Sequence, residues 1–584
     1  VETIFPIYGL SDASIRLVIG VLAIGLIPAL VFAWAFELTP EGLKKESEID
    51  RTRSITPHTG KKLDRMIIVV LALALGYFGF DKFVLGPQRE AAGQEQVAGQ
   101  VEEARQQGRT EALVESYGDK SIAVLPFVNT SSDVEQEYFS DGISEELLSL
   151  LAKIPELRVI SRSSAFSYKG KDIRVVKVAE ELNVAHILEG SVRRAGNKVR
   201  ITAQLIEARS DTQLWSDTYD RHLDDIFAIQ DEIAATVVEQ LKITLLGDAP
   251  KVRETSPEAY ALFLQARHLG RQGSVEGWEQ SNTLYQQALA IDPGYAAAWA
   301  GLARNYANQT SKGLLSIAEG YTRTRVAAQK ALAIDPDYAL VHARLGWIAM
   351  VYENDLTLAA RHLNRALQLD PADTDIIDNA ARLLRSLGRL DESIATSEYT
   401  TARDPVNPTS HTNLGNAYLY AGRFNEAFDS YQTTLRLSRD YIGGHYHIGT
   451  ALLLMGEAEA ALAEFSLKEV EEGDDEYRVK GQALALYALG RKTEYQAKLA
   501  ELVEGWGDQW PSEVAHVYAF AGDAEQAFFW LDLAIEQNEA GLSDQFLRPF
   551  YTPIHGDPRW VKFLERIGSS PEQLDAIKFK VTLP

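Results

Sequence analysis

The stretch DPGYAAAWAGLARNY, residues 292–306, decides how the second half of this 584-residue chain folds. Proline has no backbone N–H and a fixed φ, so Asp292-Pro293 stops one helix and opens the next. Trp299, Leu302, Ala303 and Tyr306 then fall on one helical face, large beside small. The register returns as His342, Leu345 and Gly346, as Ile377, Ala380 and Ala381, and as His411, Leu414, Gly415 and Tyr418. Each copy follows an Asp-Pro pair, at Asp335-Pro336, Asp370-Pro371 and Asp404-Pro405, with spacings of 43, 35 and 34. A second ladder, Asn354, Gly388, Gly422, Gly456 and Gly490, steps by 34 each time, and Gly522 follows after 32. Gly and Asn supply the left-handed backbone that ends a helix. Two helix-ending signals per period predict stacked helix pairs, seven to eight of them over 256–538. The second pair carries an insertion near 308–315, and the last three lack the Asp-Pro signal. Residues 539–584, with HGDPRWVKFLERIG, are expected to cap the last apolar face.

This register resembles the W-x-x-L-G-x-x-Y pattern of tetratricopeptide repeats, which implies an all-α solenoid that binds a protein partner. The binding wall is expected on the first helix of each pair, one and five residues beyond the Trp299 register point. Those positions give Arg304, Trp347, Arg382, Asn416 and Tyr446 as partner-binding candidates. Such side chains recur at binding hot spots, and Arg304 with Arg382 suits a carboxylate of an extended peptide or a chain terminus. His342, His411 and His445 occupy one register position, but packed helices ~10 Å apart cannot share a metal whose ligands sit at ~2 Å. No metal and no cofactor is expected. The sequence holds no HExxH, Walker A, GxGxxG or GxSxG pattern, so it is read as not an enzyme.

Ahead of the array, SIAVLPFVN at 121–129 reads as a strand, and Glu137 to Leu151 as a helix with Ile143, Leu147, Leu148 and Leu151 on one stripe. A strand LRVISRSS, a helix from Val175 to Leu182, a hairpin around Ala195-Gly196-Asn197 and a strand near 213–219 follow. A helix from Asp224 to Leu241 closes a sheet expected to carry its helices on one face. SIAVLPFVN, YFSDGISEELLSLL, LRVISRSSAFSYKGK, ILEGSVRRAGNKVRITAQLI and WSDTYDR resemble the TolB amino-terminal-like domain, placed at 119–245. That resemblance implies protein contact at a bacterial envelope. Ser161, Ser163 and Ser164 have no His or Lys at a nucleophile spacing.

LVIGVLAIGLIPALVFAWAF, 17–36, and MIIVVLALALGYFGF, 66–80, extended to 85, predict a transmembrane α-hairpin within 1–86, with helices over about 15–36 and 66–85. The loop 37–65 holds Lys44, Lys45, Arg51, Arg53, Lys61, Lys62 and Arg65, which predicts a cytoplasmic loop. Residues 86–584 are then periplasmic, in a bacterial inner-membrane protein, with 87–118 a polar stalk. Because the first residue is Val1 and VETIFPIYGL looks like the end of an apolar segment, a further helix is expected upstream. The fold class is thus multidomain: membrane hairpin, small α/β domain, helical solenoid.

With 58 Lys+Arg against 82 Asp+Glu, the net charge of -24 opposes phosphate binding, so no nucleic acid is expected. Cysteine is absent, which excludes disulfides and thiol chemistry. The expectation is a non-catalytic, inner-membrane-anchored periplasmic scaffold that binds a protein. The alternatives are a homo-oligomeric structural assembly and the sensor fragment of a cyclase- or DNA-binding-type receptor.

Overall fold

A computed structural model describes residues 36–39 and 42–45, then 118–583 with short breaks at 119, 132, 134–135, 155, 242–254, 468–474 and 545–546. It divides into two compact units, 1–105 and 106–584. In the first, strands β1 (Phe36–Thr39) and β2 (Gly42–Lys45) pair antiparallel. The predicted loop 37–65 therefore holds most of a hairpin, and Phe36, the predicted end of the first span, opens β1. The rest of both apolar runs, the upstream segment and the stalk up to 117 lie outside the described residues. Among the described residues, no helix is long and apolar enough to cross a membrane.

The second unit begins with the α/β domain. Its strands are β3 (Ser121–Val124), β4 (Val128–Asn129), β5 (Arg158–Val159), β6 (His186–Ala195), β7 (Lys198–Glu207) and β8 (Thr212–His222), in spatial order β5-β3-β6-β7-β8 with β4 beside β6. β3 is parallel to β5 and β6, whereas β6, β7 and β8 form an antiparallel meander. The helices are α1 (Glu137–Ala152), α2 (Arg162–Phe166), α3 (Val175–Leu182) and α4 (Ile226–Gln240). The predicted one-sided arrangement is corrected: α1 and α4 share a core with Ile122, Val124 and Leu188, while α3 packs with Ala123 and Ile187 on the opposite face. β3 is buried at all four positions, the unbroken apolar run of a strand covered on both sides. The predicted strand LRVISRSS is also corrected. Only Arg158 and Val159 pair, because Ser161 caps α2 by accepting the Ser164 N–H.

Among the described residues, eight helix pairs follow. They are α5 (Pro257–Arg271) with α6 (Val275–Ile291), α7 (Ala296–Ser311) with α8 (Ile317–Ile334), α9 (Ala339–Val351) with α10 (Leu356–Leu369), and α11 (Thr374–Ser386) with α12 (Leu390–Arg403). Then come α13 (Pro408–Tyr420) with α14 (Phe424–Leu437), α15 (Gly444–Leu454) with α16 (Ala458–Phe465), α17 (Asp475–Ala488) with α18 (Lys492–Trp506), and α19 (Pro511–Phe520) with α20 (Ala524–Glu536). The chain therefore contains a tetratricopeptide-type repeat array. Asn354, Gly388, Gly422, Gly456, Gly490 and Gly522 all have positive φ, between 53° and 88°, as the 34-residue ladder requires. After each of the five glycines the next residue's N–H returns to a carbonyl five positions back, as in Arg389 to Leu384 and Arg423 to Tyr418, both 2.9 Å. The small register position has a packing reason too: a Cβ on Gly415 would stand 2.4 Å from the Tyr431 ring.

The expected terminal cap is only part of what the C-terminal segment does. α21 (Arg559–Arg566) covers the last pair through Trp560 and Phe563. The preceding stretch instead returns to the middle of the array. Gly541 N–H donates to Val351 O at 2.6 Å, Asn354 Nδ2 to Glu539 O at 3.0 Å and Ser543 Oγ to Met350 O at 3.1 Å. Beyond α22 (Pro571–Asp575), Phe579 enters the core of α9 to α11, and Arg389 donates to its carbonyl at 2.5 Å. This strap ties the last pair to the third and fourth.

Candidate functional site

The α/β domain grips the array at two places. Along α5, Glu145 takes Arg267 at 2.8 Å, Arg271 at 2.6 Å and Arg162 of its own domain, while Arg267 also reaches Glu146 at 2.6 Å. Gly142 leaves room for Leu264, whose Cδ2 would be 2.6 Å from an added Cβ. At the far side, Arg158 donates to Asn183 O at 2.6 Å and Leu182 O at 3.2 Å, and across the junction to Ala402 O at 3.2 Å. Ser164 Oγ bonds to Asp404, the Asp of the fourth Asp-Pro pair, and Val406 packs on the α3 core. The Asp-Pro turn thus serves as a docking point, and Ser161 and Ser164 are used for a cap and a contact.

The five predicted wall residues do not form one open surface. Arg304, on α7, is half-buried, and its Nη2 is enclosed without a hydrogen-bond partner. Close by on α9 is Arg344, whose pKa is pulled down by burial and then by Arg304, with Asp375 of α11 opposing. Burial raises the Asp375 carboxyl, and Arg344 and Arg304 pull it back. Trp347 meets Tyr321 at a tilt, ring centres 5.7 Å apart, with the Arg344 guanidinium 5.8 Å from its ring. Arg382 lies near enough to Tyr321 to bear on its hydroxyl. Asp378, one residue beyond the Ile377 register point, accepts from Ser410 Oγ at 3.0 Å, and burial pushes its carboxyl up to about 7. This half of the wall is a half-buried patch in which Arg304, Arg344 and Arg382 lie among the Asp375 and Asp378 carboxyls.

Asn416 and Tyr446, half-buried like the other three, have partners within the chain. Asn416 Oδ1 accepts from Tyr431 OH at 2.9 Å inside the pair. Tyr446 packs on Tyr477 at 5.1 Å and Phe465 at 5.7 Å, beneath Lys480 at 4.7 Å. Lys480 is wholly buried between Glu476 at 3.0 Å and Glu513 at 2.7 Å, and those carboxylates hold its ammonium charged against the cost of burial. Arg548 from the strap completes the cluster, donating to Glu513 at 3.3 Å and to Tyr420 OH at 3.2 Å. Lys480 is 34 residues beyond Tyr446, so extending the period reaches it; Arg344 and Asp375 lie two residues from register points, and Arg548 left no periodic sign.

The register histidines have separate partners. His342 Nε2 donates to Pro336 O at 3.0 Å, leaving Nδ1 to accept from His362 at 3.2 Å. His411 Nε2 donates to Pro405 O at 2.9 Å, and His445 meets Glu464 at 2.8 Å.

Fold and wall together define the class: an α/β domain fused to a tetratricopeptide-type array whose first helices carry an arginine patch. Residues 118–236 match the family model described as the HilA/YgeH-like transcriptional regulator, second domain, and residues 352–451 match the bacterial transcriptional activator domain. A protein of Rhizobium meliloti (strain 1021) named "Putative adenylate cyclase 3" is 46% identical over 186 residues. The match covers 31% of this chain and 32% of the relative, so the chain spans about a third of that relative's length. Among solved structures, pilF of Pseudomonas aeruginosa is 19% identical, covering 37% of this chain and 93% of that one at a TM-score of 0.29. A thermophilic TPR protein of Thermus thermophilus is 21% identical, covering 32% and 99% at a TM-score of 0.27.

Proposed function

We propose that this chain is a non-catalytic scaffold whose arginine patch on α7, α9 and α11 receives an acidic segment of a protein partner. The observation that carries this reading is the Arg304 guanidinium, with an enclosed Nη2 that has no acceptor, beside Arg344 and Asp375. A buried cation without a full counterpart is costly, and an incoming carboxylate relieves that cost with charge-assisted hydrogen bonds. The apolar runs at 17–36 and 66–85 support an inner-membrane anchor with the array in the periplasm, which carbonate extraction and protease access on intact spheroplasts test directly. For the patch, the probe is a hexaglutamate peptide with a free carboxyl terminus. Saturable, salt-sensitive binding to the full chain, weakened at least tenfold by Arg304→Ala with Arg344→Ala, is expected; equal binding by both proteins refutes it.

A second reading is favoured by the matched descriptions of transcriptional regulators and by the cyclase-named relative. In it, the same body is the regulatory part of a longer receptor whose effector is a cyclase or a DNA-binding domain. The full open reading frame discriminates the two: a nucleotidyl-cyclase or DNA-binding domain encoded upstream supports the receptor, and an apolar segment alone supports the scaffold.

A further inference from the structure

The second half of the first-helix wall holds a different kind of site. Without Arg548, Lys480 would stand against both Glu476 and Glu513, walled by Tyr420, Tyr446 and Tyr477, with the buried Arg385 guanidinium 5.0 Å from the Tyr420 ring. His516 adds no charge at neutral pH, because burial drives its pKa down to about 4. Two buried carboxylates between aromatic walls suit a guanidinium, which combines charge, planar stacking and several donors. Arg548 occupies it, and the following residues make the contact sequence-like. Phe550 packs on His516 at 4.6 Å and Phe520 at 5.3 Å, and Tyr551 OH donates to Ser512 O at 3.1 Å. The strap approaches by way of Glu539, which accepts the Ser512 N–H at 2.8 Å.

We infer that the face formed by α13, α15, α17 and α19 is a recognition site for an arginine-aromatic segment, and that residues 548–551 fill it as an intramolecular ligand. A partner segment carrying Arg followed within two or three residues by aromatic side chains competes for the same site. The site is separate from the arginine patch and selects the opposite charge.

The test uses the full chain carrying Arg548→Ala. Methylguanidinium restores its lost hydrogen-exchange protection over 512–520, whereas methylurea, neutral and of similar shape, does not; adding Glu513→Gln abolishes the rescue. The peptide acetyl-Arg-Pro-Phe-Tyr-Thr-amide binds the Arg548→Ala chain saturably and the unaltered chain at least tenfold more weakly. Should Arg548→Ala fail to fold, Arg548→Lys keeps a cation in the cluster and replaces it in the same competition. Rescue by methylurea as well, or no peptide binding to a variant that methylguanidinium does rescue, overturns the inference and leaves the strap a structural closure only.

Discussion

Replacing Glu145 by Ala should detach the α/β domain from the first helix pair. The carboxylate is 6% exposed and holds three guanidinium groups, Arg267 at 2.8 Å, Arg271 at 2.6 Å and Arg162, two of them from α5. Arg267 is 12% exposed, so its charge cannot turn to solvent; it keeps only Glu146 as a carboxylate partner. Removing one partner of a buried ion pair typically costs about 3–5 kcal/mol, because the remaining charge stays desolvated and unpaired. The ion pairs of Arg162 and Arg271 are more exposed and add little. We therefore expect a loss of about 3–4 kcal/mol, and roughly half of that for Glu145→Gln, which retains an acceptor without charge. Urea unfolding followed by hydrogen exchange should show α1 and α5 opening before the distal pairs, splitting a single transition into two. A change below about 1 kcal/mol for Glu145→Ala, with unaltered protection in α1, would refute the claim that this cluster joins the domain to the array.

Other outcomes follow from the same reasoning. Gly422 sits at φ 75°, so Gly422→Ala should lower stability by about 1 kcal/mol, measured by thermal unfolding. Gly415→Ala, forced against Tyr431, should cost about 1–3 kcal/mol by overpacking, and a Tyr431→Leu background should recover part of it. Burial raises the Glu539 carboxyl from 4.5 to about 7, ahead of the opposing hydrogen bonds from Ser512. Its folded form therefore holds a proton that the unfolded chain has released between those values, and stability falls as pH rises through that window. Glu539→Gln should leave stability at about pH 4.5 unchanged and raise it at about pH 8 by up to roughly 3 kcal/mol, read from urea midpoints. His516 works the other way: with its pKa lowered from 6.5 to about 4, the unfolded chain takes up the extra proton, so stability falls as pH drops from 6.5 toward 4. His516→Gln should flatten that limb of the profile.

The array was readable from sequence because its signals are local and repeated. A proline that cannot continue a helix and a glycine that must turn one leave the same mark every 34 residues. The α/β strands were readable for a similar reason, though β5 ended early where the Ser161 cap prevailed over an apolar, β-like run. Which face carries a helix was not readable, since β3 is apolar on both sides. The strap was least legible of all. Asn354 and Glu539 meet across 185 residues, and Arg389 meets Phe579 across 190, with no period linking them. Register placed Arg304, Trp347 and Tyr446 on the first helices, but not what covers them. Tyr446 lies in the cluster filled by the chain's own Arg548, whereas Arg304 retains an enclosed nitrogen without an acceptor.

The most direct test of the scaffold reading is recovery of the full-length protein in mild detergent, with the particle mass measured and co-purifying proteins quantified by mass spectrometry. A parallel preparation carries Arg304→Ala and Arg344→Ala. A stoichiometric protein partner is expected, lost from the variant and competed away by hexaglutamate. A homogeneous multiple of the 64.7 kDa chain with no second protein, unchanged in the variant, would contradict it and favour a structural homo-oligomer.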